Sequence, residues 1–92
     1  MKIVWDPLKA AANMREHRVD FSEAATILGD EHALTREDPG AVGEQRFVSL
    51  GMSDLGNLLV VVYTYREAAA IRLISAWKAN RRQRTLYEKE RR

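Results

Sequence analysis

An unbroken apolar run, Leu58-Leu59-Val60-Val61-Val62-Tyr63-Thr64-Tyr65, leaves this chain few ways to fold. β-Branched and aromatic residues favour a strand there. With no polar alternation, both faces of that strand must be buried, which places it near the middle of a sheet. Five residues, Arg66-Glu67-Ala68-Ala69-Ala70, separate it from a second strand-like stretch, Ile71-Arg72-Leu73-Ile74-Ser75-Ala76. Five others, Ser53-Asp54-Leu55-Gly56-Asn57, separate it from residues 46–52, where Val48, Leu50 and Met52 alternate onto one face. Parallel strands need crossovers of about a dozen residues. Connections this short therefore predict an antiparallel meander.

Something must cover that sheet, and the N-terminal third supplies it. Residues 2–5 form a short strand-like segment. Asp6-Pro7 then reads as an N-cap followed by proline at the first helical position. The helix is expected over 8–16 and ends at His17-Arg18. Ser22 is expected to cap a second helix over 23–28, with Gly29 as its stop. Residues 32–36 predict a weak strand, and Asp38-Pro39-Gly40 a turn. Near the other end, Asn80 with Gln83 matches a capping box. Only Leu86 and Tyr87 are large and apolar in the helix it opens, a stripe too narrow to dock that helix firmly. The expected fold is α+β in a single domain over 1–92: two short N-terminal helices on an antiparallel meander, with a basic C-terminal helix.

Charge is unevenly spread. Residues 76–92 hold seven Lys/Arg (Lys78, Arg81, Arg82, Arg84, Lys89, Arg91, Arg92) against Glu88 and Glu90, a net of +5. The rest holds eight Lys/Arg against eleven Asp/Glu, a net of −3. A basic end of this kind favours a polyanion or an acidic protein as partner. Cysteine is absent, which excludes disulfides and thiolate zinc sites and fits a reducing cytoplasm. Two distant histidines and scattered carboxylates show no metal-ligand spacing, and no cofactor is expected. The N-terminus turns polar too soon for a signal peptide. An apolar run of eight residues is too short to span a bilayer, so no membrane association is expected.

Taken in order, Trp5-Asp6, Lys9, Asn13, His17-x-Val19-x-Phe21 and Glu23-Ala24 resemble the opening signature of BrnT-type toxins. Gly43-Glu44-x-Arg46, Gly51, the run from Leu58 to Thr64, Arg72-Leu73-Ile74-Ser75-Ala76, Lys78-Ala79, Arg81-Arg82 and Tyr87 continue the likeness. The resemblance implies a toxin of a type II toxin–antitoxin system with a RelE-like ribonuclease fold. It further implies an RNA substrate and a BrnA-type antitoxin with a ribbon-helix-helix domain. Contact with DNA would come only through that antitoxin, and the complex would repress its own operon. Three positions depart from the family pattern: Arg18 replaces a glycine, Trp77 an arginine and Gln83 a glutamate.

Cleavage of RNA by its own 2′-hydroxyl needs a base, an acid and cations for the charged transition state. Arginine suits the last role, since its planar fork binds two phosphate oxygens. Arg72 and Arg66 are the candidates, with Lys78 as proton shuttle and Glu44 as base. Arg46, Thr64, Trp77, Arg81, Arg82 and Arg84 are the expected RNA contacts, the Trp77 indole as a stacking platform. Strict alternation places Arg72, Ile74 and Ala76 on one face of their strand, and Thr64 with Arg66 on one face of the neighbour. A register bringing Arg66 to Arg72 would then converge two guanidinium groups beside the start of the terminal helix. Two other readings stand beside the ribonuclease. One is a non-catalytic co-repressor of the same fold, which Trp77 in place of a cation supports. The other, an independent DNA-binding protein, is weaker because helix-turn-helix spacing is missing.

Overall fold

The computed structural model of the chain describes residues 2–67 and 69–91. Five strands form one sheet: β1 (Lys2–Val4), β2 (Leu34–Glu37), β3 (Phe47–Met52), β4 (Leu58–Arg66) and β5 (Ala70–Lys78). Their spatial order is β1-β5-β4-β3-β2, so the apolar β4 is central. Strands β2 to β5 are the expected antiparallel meander. The first strand is not part of it. Lys2, Ile3 and Val4 pair in parallel with Ala70, Ile71 and Arg72, so the sheet is mixed. That pairing spans most of the chain, and short-range connection rules say nothing about it.

Helix α1 (Pro7–His17) begins as its sequence dictates, the Asp6 carboxylate accepting from Leu8 N–H at 2.8 Å. It ends at Arg18, which adopts the left-handed conformation (φ 58°) that glycine takes without strain. The second helix differs from expectation. Asp20, not Ser22, is its cap, accepting from both the N–H and the hydroxyl of Ser22. The α-helical part, α2 (Phe21–Ala24), tightens into a 3₁₀ turn over Ala25–Gly29 that contains Gly29 rather than stopping before it. The Thr26 hydroxyl donates to the Glu23 carbonyl at 2.7 Å, a local bond that competes with regular helix.

These helices cover one face of the sheet. Val19, Phe21, Ala24 and Ile27 pack on Leu59, Val61, Tyr63, Ile71, Leu73 and Ala76. Asn13 of α1 joins them through its amide, which donates to the Ala76 carbonyl and accepts from its N–H at 2.9 and 3.0 Å. The side chain thus stands in for a strand where β1 no longer covers β5. On β3, a Cβ at Gly51 would lie 3.2 Å from Ile27, so glycine lets the 3₁₀ turn lie this close without being pushed outward.

The opposite face carries α3 (Arg81–Glu90), opened by the expected Asn80–Gln83 capping box. The helix docks more firmly than its narrow stripe promised. Tyr87 is 2 % exposed among Leu50, Leu58 and Val60, and its hydroxyl donates to Asp30 Oδ2 at 2.5 Å. Met52 N–H donates to the same oxygen, tying α3, β3 and the end of the 3₁₀ turn together. Among the described residues no helix is long and apolar enough to cross a membrane.

Candidate active site

Cross-strand partners share a face, so register decides which polar side chains meet. Thr64 pairs with Arg72, and Arg66 with Ala70. Arg66 and Arg72 are therefore diagonal neighbours on the face that carries α3, as the sequence reading required. The register slips between Val62 and Tyr63: Tyr63 pairs with Leu73 and Val62 with Ser75, leaving Ile74 bulged. The alternation expected through Arg72, Ile74 and Ala76 is broken there. Ala76 faces α1 with Leu73, away from Arg72.

The loop before β3 brings the rest. Gly43, at φ 89°, turns the chain into Glu44. One oxygen of Glu44 then lies 3.3 Å from Arg72 Nη2 and 3.5 Å from Arg46 Nε. Beneath this bridge the Thr64 hydroxyl donates to the Gln45 carbonyl at 2.6 Å, pinning the loop to β4. All three bridged side chains are roughly one-third exposed, at 27–38 %. The Nε atoms of Arg46 and Arg72 are buried and make no hydrogen bond within the described residues. Beside Glu44 opens a cavity of about 400 Å³ lined by Glu44, Gln45, Phe47, Thr64, Tyr65, Arg66 and Glu67, which Arg46 and Arg72 do not line. That volume suits a small ligand.

Glu44, Arg46, Thr64, Arg66 and Arg72 thus come together at one end of the β4–β5 hairpin. The remaining candidates do not join them. Lys78 lies six residues from Arg72 along β5, about 20 Å at strand rise. The start of α3, Asn80, is at that far end as well, so the expected convergence beside the helix terminus does not occur. Trp77 pairs with Val60, and its ring lies 6.0 Å from that of His17. Arg81, Arg82 and Arg84 are exposed on α3. Four lining residues, Gln45, Phe47, Tyr65 and Glu67, escaped the sequence reading, and the last two flank Arg66. Tyr65 is half exposed and packs edge-on to Phe47, and Glu67 takes a positive φ of 56° at the rim. Their place at the end of the central strand, beside Arg66, was the available signal.

Guanidinium groups outnumber carboxylates in this cluster, their donors are incompletely used, and an open cavity adjoins them. Guanidinium forks so placed have the chemistry to hold the oxygens of a phosphodiester. Among the described residues no three His, Asp or Glu side chains gather in a way that would hold a metal ion.

The model of the family described as "Ribonuclease toxin, BrnT, of type II toxin-antitoxin system" matches residues 5–83. The chain belongs to this family, and an antitoxin protein is accordingly its implied partner. Among solved structures, the crystal structure of the Brucella abortus ribonuclease toxin BrnT superposes with a TM-score of 0.66 at 23 % identity. The match covers 88 % of this chain and 99 % of that one. At this identity the likeness is one of fold. No curated protein matches the sequence.

Proposed function

We propose that this chain is an endoribonuclease that cleaves RNA without a metal ion, at the cluster of Glu44, Arg46, Thr64, Arg66 and Arg72. The carrying observation is that Arg46 and Arg72 share a single carboxylate oxygen of Glu44, and that Glu44, Thr64 and Arg66 line an open cavity. A phosphate in that cavity would meet Arg66 and lie beside the Glu44 bridge. In this reading Glu44 takes the proton of the 2′-hydroxyl, whose oxygen attacks phosphorus. The bond to the 5′ oxygen breaks, and that oxygen takes a proton from water in the open cavity. The products are a 2′,3′-cyclic phosphate and a 5′-hydroxyl. Arg46, Arg66 and Arg72 hold the non-bridging oxygens, whose charge grows in the transition state.

Lys78 stands too far along β5 to serve the same phosphate. It is assigned, with Trp77, Arg81, Arg82 and Arg84, to a flanking tract that holds the RNA strand. The toxin acts in the cytoplasm and slows growth by inhibiting translation. A BrnA-type ribbon-helix-helix antitoxin neutralises it, and their complex binds DNA and represses its own operon. The co-repressor reading without catalysis drew its support from Trp77. That residue sits against His17, remote from the arginine cluster, so its substitution leaves the proposed site complete.

Toxicity tests the proposal. Inducing the chain alone is expected to arrest growth, and Arg72→Ala to relieve the arrest at equal protein level. Equal growth of induced and uninduced cells would favour the co-repressor reading.

A further inference from the structure

One edge of the sheet is open. No strand among the described residues pairs with the outer side of β2. The ladder fixes which groups it presents. Asp38 N–H donates to the Arg46 carbonyl at 2.8 Å, so by antiparallel alternation Arg36 and Leu34 bond to β3. Thr35 and Glu37 then turn their N–H and C=O groups outward. An exposed strand edge is a template for another chain.

Beside that edge, on the face that carries α3, lies an apolar groove of about 170 Å³ lined by Leu34, Val48, Leu50, Val60 and Leu86. Leu86 is 48 % exposed, an uncovered apolar side chain on an otherwise polar helix. One turn to either side of it stand Arg82 and Lys89, with Glu90 next to the latter, and Arg36 closes the groove from β2, so cations outnumber carboxylates three to one around it. The surface is apolar at its centre, cationic at its rim, and bordered by free backbone donors and acceptors. RNA fits this poorly, because it cannot extend a β-ladder and has no aliphatic group for the groove.

We infer that this edge is a docking site for an extended peptide segment that adds a strand to β2, seats an apolar side chain against Leu86 and places flanking carboxylates on Arg36, Arg82 and Lys89. The inference rests on the proposed toxin function in one respect: the antitoxin is the protein that supplies the segment. Cationic rim and acidic flanks attract over distance, which favours fast capture.

The probe is a synthetic peptide, capped at both ends, with the sequence Glu-Asp-Leu-Thr-Leu-Asp-Glu. Binding is followed by the amide resonances and hydrogen exchange of the full chain. The expected result is saturable binding with exchange at Thr35 and Glu37 slowed at least about tenfold. Leu86→Glu and Arg36→Glu, both at exposed positions, should each weaken it about tenfold or more. A version with proline at the central threonine should not bind, since it interrupts the ladder. No binding at about 1 mM peptide or binding indifferent to both variants would overturn the inference. RNA cleavage, read on the same samples, separates the two proposals. Cleavage with no peptide binding sinks this inference and leaves the ribonuclease standing, whereas binding without cleavage does the reverse.

Discussion

Arg18 shows how much one residue can reveal. The helix end at His17-Arg18 was legible, while the left-handed turn was not, and the structure holds Arg18 at φ 58°. A side chain there costs about 1 kcal/mol or more relative to glycine, partly offset by the freedom glycine gains when unfolded. Arg18→Gly is therefore expected to stabilise the fold by a few tenths to about 1 kcal/mol, read by urea denaturation. The arginines of the site were also legible as residues, because Arg72 interrupts an apolar strand and Glu44 and Arg46 stand together. Their convergence was legible only in part. Local alternation cannot foresee a bulge at Ile74, and that bulge decides which side chains accompany Arg72. Three guanidinium contacts at the site and four cations in the flanking tract predict that log affinity for RNA falls with log salt at a slope of roughly −5, and that Arg72→Ala shrinks the slope by about 0.7. A slope near zero would place the RNA elsewhere.

Among the elements, α3 departs most from its sequence. Its pattern offered two large apolar residues, yet one hydroxyl pairing fastens it. Burial pushes the Tyr87 hydroxyl up to about 12, with Asp30 beside it acting in the same direction. Partial burial raises the Asp30 carboxyl, but hydrogen bonds from Met52, Tyr87 and His32 outweigh that and hold it below 3.8. The signs then follow. Tyr87 binds its proton more tightly when folded, so its contribution is full below pH 10 and is lost as pH rises toward about 12. Asp30 is the reverse: its contribution is full above 3.8 and lost as pH falls through its lower folded value. Tyr87→Phe is expected to cost about 1–2 kcal/mol at neutral pH and to flatten the alkaline limb of a stability–pH profile. An unchanged limb would mean that α3 does not need this bond. Caps and turns, by contrast, were readable, because Asp6-Pro7 and Asn80-Gln83 act within a few residues. The cap at Asp20 was missed since Asp20 and Ser22 are both good caps, and only the geometry chooses between them.

For the molecule as a whole, the order of the meander followed from loop lengths, while the parallel docking of β1 on β5 did not, because nothing local encodes it. Charge polarity is likewise a whole-molecule property, and the structure divides it. One group of arginines meets at the end of the β4–β5 hairpin, and another lines α3 at a distance. The central claim is that the first group cleaves RNA. Its most direct measurement is incubation of a purified RNA in EDTA with the wild-type chain, Arg72→Ala and Arg72→Lys, followed by identification of the product ends. The account predicts 2′,3′-cyclic phosphate ends from the wild type and a loss of about 10²-fold or more in rate for Arg72→Ala, with Arg72→Lys between them. Cleavage that stops in EDTA, or that proceeds undiminished in folded Arg72→Ala, would contradict it.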